Sequence, residues 1–552
     1  MTCTDGFASQ KNFLNKTTTL SVSELIKKRI AEAGYPPNII LRGELIRAPD
    51  MLERFYEKRD FQPVWSGNEG PLPKARELIE AIENAKFEGL IPYYYHLEKI
   101  KSLLWELSNK KKKIILFKDE DLVAFDLLLT DAFLMLGCHY SSGCVDPLTI
   151  EAEWFITREI LDVVSVLDSA LKKDNIEEAL KKLLPPGDSY SRLRSALDYY
   201  RKILVKGGWP IVTDGPALKK GVKSRRIIEL RKRLTVSGDM DIKDDKKSEL
   251  FEEGVKQAVL KFQKMHGLET DGVVGPLTLK MLNVSAKERV RQLELNMERM
   301  RWSFRDLGQR YIIVNIADFE LYVVENGEIL FNMKVVVGKP FRQTPVFSKK
   351  MTYIVINPSW NVPKSIAIED ILPKIKKDAD YLAKQKIKVI KGWDKNSEEI
   401  DPETINWSKV AGNNFNYWLQ QEPGILNPLG GIKFMLPNRF GVYLHDSPSR
   451  RLFAESKRSF SHGCIRVERA VDLAEYLLKS DPDWTREKIV DAIEDGKEQE
   501  VPLPEPINVH ILYLTAWVDN DGFIQFREDI YGRDEQLDKS LRKEPPKPLL
   551  SQ

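Results

Sequence analysis

The segment Ser461-His462-Gly463-Cys464-Ile465-Arg466-Val467 gathers most of the reactive chemistry of this chain into seven positions. A cysteine becomes a nucleophile when it is held as a thiolate, and a neighbouring imidazole achieves this by taking its proton. A second histidine, His445, closes the run Val442 to Leu444, nineteen positions before Cys464. That run reads as a strand, so a strand end and a turn can bring both groups to one end of a sheet. Gly463 lets the backbone turn sharply and leaves amides available to an oxyanion. Arg466 adds fixed positive charge. Downstream, Ala470, Leu473, Ala474, Leu477 and Leu478 have helical spacing, which predicts a helix whose N-terminal dipole favours a thiolate at Cys464. The competing reading is inert, because a lone cysteine in a core is a small hydrophobe and a lone histidine is usually structural. Polar Ser461, His462 and Arg466 around the thiol weigh against it.

Around this segment the pattern is that of strands. Tyr311 to Ile316 is apolar and β-branched, and Glu320 to Val324 and Ile329 to Val337 flank Asn326-Gly327, a strong hairpin signal. Met351 to Ile356, Val442 to His445 and His510 to Val518 continue the series, and Asn520-Asp521-Gly522 turns into Phe523 to Arg527. The domain from residue 306 to 533 is therefore mainly β. Between residues 357 and 416 the spacing of Ile371 and Ile375 is helical, and this stretch reads as a partly helical insertion that caps the site. Trp360, Trp393, Trp407 and Trp418 suit a cap over a ligand or an ordinary small core. Residues 534–552 read as a flexible tail, charged and Pro-rich from Lys543 to Pro548.

Towards the N-terminus the periodicity is helical. Residues 1–206 form a helical scaffold with apolar faces such as Leu78, Ile79 and Ile82, and no glycine loop for nucleotides; Lys110 to Lys113 reads as a solvated loop. Residues 207–285 form three short helices. The first carries Ile227, Leu230 and Leu234 and ends at Gly238; the second carries Val255, Val259 and Phe262; the third opens at Pro276. Residues 286–305 read as a linking helix.

Composition narrows the class. At 552 residues the chain is long enough for three or four domains, and 42% hydrophobic with 30% charged residues excludes disorder and a membrane-embedded chain. Lys plus Arg is 85 against 82 for Asp plus Glu, so a net charge of +3 offers no field for nucleic acid. Leu122 to Gly137 is the longest apolar run, but Asp126 and Asp131 interrupt it, and it reads as a buried soluble helix. The first twenty residues lack an apolar signal core, so an export signal is either absent or already removed. His96, His139, His266 and His510 read as structural. Cys138, His139 and Cys144 make a weak metal site, with a disulfide or free thiols as alternatives and free thiols preferred. No metal or cofactor is called for.

Two resemblances follow from these motifs. Phe262-Gln263, His266-Gly267-Leu268 and the Asp271-Gly272-x-x-Gly275-x-x-Thr278 pattern resemble the three-helix peptidoglycan-binding module; a merely structural bundle is the alternative. His445, fifteen residues, then Ser-His-Gly-Cys-Ile-Arg resembles the active-site signature of YkuD-type L,D-transpeptidases, unlike papain-like proteases or caspases in order and spacing. The domain order, with Tyr513-Leu514-Thr515-Ala516-Trp517 and Asp529 to Asp534, is similar to the large YcbB-like branch. The fold this implies is multidomain α+β: helical scaffold, three-helix module and a mainly β, YkuD-like sandwich with its cap. The resemblance implies that Cys464 attacks a tetrapeptide stem of peptidoglycan, D-alanine leaves, and the acyl group passes to a neighbouring diaminopimelate as a 3–3 cross-link. His445 would be general base and then acid, with Gly463 and Cys464 amides in the oxyanion hole. Ser461 and His462 would shape the turn, and Arg466 would orient the loop or a substrate carboxylate. A periplasmic location, inhibition by carbapenems and association with cell-wall synthases are further implications. An L,D-carboxypeptidase or endopeptidase using the same pair, and a non-catalytic wall-binding scaffold, are the alternatives.

Overall fold

The computed structural model describes residues 20–67, 70–110, 119–150, 154–155, 160–241, 248–303, 305, 307–391 and 398–543. Lys111 to Lys113, Trp393 and the tail beyond residue 543 lie outside the described residues. The chain divides into two compact units, one comprising residues up to Cys144 with Ile160–Leu184, the other comprising Val145–Glu159 and Pro185–Glu544.

The first unit is helical. Its opening helix, Val22–Ala31, starts at a capping box in which Ser21 and Glu24 satisfy each other's backbone amides. Asp119–Ser142 is a 24-residue helix buried from Asp121 to Ser142; by length and composition alone it could cross a membrane. Its two interior carboxylates explain the burial. Asp126 accepts from the amides of Val64 (2.9 Å) and Trp65 (2.8 Å) and from the Tyr56 hydroxyl (2.7 Å). Asp131 accepts from the Ala48 amide and faces His96 Nε2, both at 2.8 Å. Burial opposes a charge on His96, but hydrogen bonds to Asp131 and Glu44 prevail and raise its pKa to about 9. Cys138 is a free thiol, pushed up to about 12 by burial, so no disulfide links it to Cys144.

In the second unit the three-helix module is Arg226–Ser237, Glu253–Met265 and Pro276–Leu282 around a core that includes Leu230, Val259, Phe262 and Leu282. Gln263 explains the turn motif. Its buried amide donates to Asp271 Oδ1 (2.7 Å), the Val273 carbonyl (3.0 Å) and Thr278 Oγ1 (3.2 Å), while its carbonyl accepts from the Gly272 amide (2.9 Å). A buried primary amide needs such partners, and this loop supplies them.

The main sheet of the second unit includes β1 (Arg310–Asn315), β2 (Glu320–Glu325), β3 (Glu328–Gly338), β4 (Val346–Ile356), β5 (Ile432–Met435), β6 (Leu444–His445), β7 (Ile465–Val467) and β8 (Gln499–Leu512). Their order across the sheet is β5-β6-β7-β3-β2-β1-β8-β4, and β5 also pairs with β4, closing the array. Asn326 and Gly327, at φ of 54° and 84°, make the tight turn between β2 and β3.

Helix Asp188–Val205 packs within the second unit, where Tyr190 accepts from Arg301 at 2.9 Å and Arg201 pairs with Glu294. Three sequence expectations change. Ala286–Ser303 is no mere linker. Asn296 on it is fully buried and exchanges hydrogen bonds with Thr515 at 2.8 and 2.9 Å. The expected flexible tail starts as helix Arg533–Lys543, with Leu537 fully buried and Asp534 paired to Arg299. The insertion is as much sheet as helix and extends to Gln421. Strands Trp360–Asn361, Ile387–Lys391, Glu398–Ile400 and Tyr417–Gln421 carry it, and Trp360 opposite Gln421 closes its neck. Its own core holds Ile371, Leu372, Ile375 and Leu419, with Trp360 and Trp407 packed against it.

Candidate active site

β6 lies between β5 and β7. Lys433 pairs with His445 across one border, and His445 with Arg466 across the other. Side chains opposite each other in a ladder share a face, and residues two apart along a strand share it too. Leu444, Ile465 and Phe434, on the opposite face, are fully buried in the core. Tyr443 and Cys464 therefore stand beside each other on the face of His445, Arg466 and Lys433. The Ile465 amide donating to the Tyr443 carbonyl at 3.1 Å fixes that register. A sheet border thus assembles five polar side chains from three strands.

The thiol is half-buried. Burial raises its pKa; hydrogen bonding from Tyr443 and the charges of Lys433 and Arg466 work in the opposite direction. The Lys433 ammonium lies 4.1 Å from the Tyr443 ring centroid, and burial lowers its pKa. The expected helix follows as Ala470–Leu478, but strand β7 separates it from Cys464. A helix dipole fades beyond its first turn. The positive field at the thiol therefore comes from Lys433 and Arg466, which corrects the sequence expectation.

His445 is buried, and its Nδ1 donates to the Asp446 carbonyl at 2.6 Å. That bond assigns the proton to Nδ1 and leaves Nε2 with its lone pair. Burial first, then the charge of Arg466, pushes the pKa of His445 down to about 3, so the ring is neutral at physiological pH. A neutral, oriented imidazole can accept a proton, while a pKa held this low makes it a weaker base than a histidine tuned near neutral pH.

The loop is held by Ser461. Its hydroxyl donates to the Cys464 carbonyl at 2.5 Å and accepts from the Gly463 amide at 3.1 Å. Gly463 has φ of 113°, a conformation L side chains rarely adopt, and Thr344 Oγ1 donates to its carbonyl at 2.9 Å. Its amide, expected in the oxyanion hole, is thus taken by Ser461. His462 points elsewhere: its Nε2 lies 2.8 Å from Asp370 Oδ2 on the insertion. Arg466 is half-buried, and its Nε has no hydrogen-bond partner among the described residues. His96, His139, His266 and His510 lie away from this cluster in other contacts.

Sequence reasoning missed Tyr443, Lys433 and Asp370. Tyr443 was within reach, because it sits two positions before His445 on one strand. Lys433 and Asp370 had no local signal, since only strand register and the docking of the insertion bring them in.

Residues 50–197 match a model described as a scaffold domain, residues 223–282 one described as "Putative peptidoglycan binding domain", and residues 309–489 the YkuD model, the L,D-transpeptidase catalytic domain. A curated protein of Haemophilus influenzae, named "Putative L,D-transpeptidase", is 34% identical over 262 residues. The match covers 47% of this chain and 52% of that one, so the chain spans about half the length of this curated relative. Among solved structures, an L,D-transpeptidase from Stackebrandtia nassauensis is 15% identical, with 55% and 96% of the two chains covered and a TM-score of 0.20. One from Mycobacterium smegmatis is 12% identical, with 37% and 58% covered and a TM-score of 0.18.

Proposed function

We propose that this chain, a multidomain protein with a YkuD-type catalytic domain, is a cysteine-dependent L,D-transpeptidase that forms 3–3 cross-links in peptidoglycan. The observation that carries the reading is the shared face of Cys464, His445 and Tyr443 on adjoining strands.

His445 Nε2 takes the Cys464 proton as sulfur attacks the carbonyl of the third stem residue. The tetrahedral oxyanion is held by the Cys464 amide and the Tyr443 hydroxyl, with Gly463 acting through the turn rather than through its committed amide. The imidazolium returns the proton to the departing D-alanine amine, leaving a thioester on Cys464. The side-chain amine of a neighbouring diaminopimelate then attacks, His445 again accepts a proton, and the thiol is restored. Arg466, with its unpaired Nε, binds a stem carboxylate. Carbapenems acylate the same sulfur. The enzyme acts in the periplasm on the finished wall, where cell-wall synthases supply the stems.

The test is mass spectrometry of tetrapeptide muropeptides incubated with the protein. Dimers joined through two diaminopimelates with release of D-alanine support transfer. Tripeptide alone would replace it with an L,D-carboxypeptidase, and cleaved dimers with an endopeptidase.

A further inference from the structure

A cleft of about 1030 Å3 opens between the three-helix module and β1–β3, and Cys464 is not among the residues that line it. Its floor follows the pleat of the sheet. Ile313, Tyr322 and Asn332 form one cross-strand row, and Asn315, Glu320 and Lys334 the next. The facing wall comes from the module through Leu268, Thr270, Leu277 and Lys280, and Trp517 stands at one end with Arg527 stacked 4.8 Å from its ring centroid.

The two walls are fixed to each other. Arg527 donates to the Met265 carbonyl at 3.0 Å, and Lys280 reaches Glu528 at 3.3 Å. Gly267 meets Arg527 so closely that a Cβ there would lie 2.6 Å from Arg527 Cδ. The floor is equally well set. Tyr322 donates to Asp318 at 2.5 Å, and Asn332 and Arg458 both donate to Glu320 at 3.2 Å. Such a lining is preorganised before any ligand arrives.

Its chemistry selects a class of ligand. The lining is about as polar as apolar and holds aromatic rings, amides and charged groups of both signs. Sugar rings present C–H faces edged by hydroxyls and acetamides, which match rings and planar polar side chains together. The volume is at the top of the range for compact small-molecule sites, roughly 300–1,000 Å3, and suits an extended polymer. One wall also belongs to the segment matched by the peptidoglycan-binding model.

We propose that this cleft binds a glycan strand of peptidoglycan, alternating N-acetylated amino sugars, between the module and the catalytic sheet. The proposal rests on the reading of the chain as an enzyme of peptidoglycan. It makes the catalytic domain part of the wall-binding site and lets one strand be gripped while its stem peptide extends to Cys464.

The experiment titrates the full chain with soluble, peptide-free glycan strands prepared by amidase digestion of sacculi. Trp517→Ala and the surface change Asn332→Ala are each expected to weaken binding about tenfold, the loss common for a truncated central contact; thermal melts report that both variants fold. Unchanged affinity in folded Asn332→Ala and Trp517→Ala overturns the proposal, as does failure of wild-type protein to bind stripped strands. Displacement of bound glycan by free stem peptide also overturns it, because the cleft would then be a peptide site. D-alanine release from a soluble tetrapeptide is measured in parallel with wild-type protein. Release without glycan binding removes the cleft proposal alone, whereas glycan binding without release leaves the cleft and removes the transpeptidase reading.

Discussion

The sheet border around Cys464 and the insertion between Trp360 and Gln421 both face the catalytic loop, yet they are held there in different ways. Cys464, Tyr443, His445 and Lys433 ride on strands laced by backbone hydrogen bonds, and the opposite side of those strands is fully buried. The insertion closes on its own neck and its own core. Among the described residues it meets the loop region through a contact of Asp370 with His462 Nε2 and an ion pair of Glu369 with Arg342. Their carboxylates are 42% and 59% exposed, and pairs of that kind are worth about 1 kcal/mol or less. Reacting groups are thus preorganised, while their cover is cheap to lift. Under the proposed transfer reaction, that division would suit a thioester that excludes water and then admits a bulky acceptor.

The comparison breaks first at the nucleophile. Cys464→Ala is expected to abolish both D-alanine release and the covalent carbapenem adduct seen by intact-protein mass spectrometry; an adduct that survives relocates the nucleophile. Next in size, His445→Gln should slow acylation about a hundredfold to ten-thousandfold, and His462→Ala far less. The reverse order would assign the base to the insertion side. Tyr443→Phe should cost about a hundredfold in acylation rate, near the lower figure for loss of one oxyanion donor. A rate within twofold of wild type would reduce Tyr443 to packing.

Smaller effects sharpen the comparison. His445, held down to about 3, stays neutral from about pH 4 upward, so the acylation rate should show no inflection near pH 6.5. An inflection there that vanishes in His445→Gln would contradict the buried, neutral base. Asp370→Asn should shift the dimer-to-tripeptide ratio towards tripeptide by a few-fold, as water gains access. An unchanged ratio would make the His462 contact decoration. In the scaffold, His96 has a folded pKa raised to about 9, so its contribution is complete below about pH 6.5 and is lost as pH rises through 9. Wild-type melts of that transition should fall over this interval, and those of His96→Gln should not.

Much of this was legible in the chain. Ser461 to Val467 and His445 located the site, and Asn326-Gly327 located the central hairpin. Those signals are local, carried by residue type and by the two-residue period of a strand. The helix dipole expected at Cys464 failed because three residues of strand intervene. Gly463 was credited with a free amide because nothing in the sequence shows that Ser461 folds back onto it. The packing of helix Asp188–Val205 within the second unit was not legible, because an amphipathic helix does not state which neighbour its apolar face meets. Lys433 and Asp370 depend on register and docking, which are long-range facts.

Asp126 and Asp131 have a consequence in a different solvent. At about 1.5 Å per residue, Asp119–Ser142 spans about 36 Å, longer than the roughly 30 Å of hydrocarbon in a bilayer. Before its partners have folded, such a segment competes to partition into lipid. A carboxylate near the centre of a membrane helix costs about 3 kcal/mol on insertion scales, and this helix carries two. In the folded scaffold the same pair is met by the amides of Val64, Trp65, Arg47 and Ala48. The two carboxylates are penalised in hydrocarbon and satisfied in the protein interior. Leucine at both positions would keep the helix apolar yet erase the distinction, and a chain crossing a membrane would be retained there.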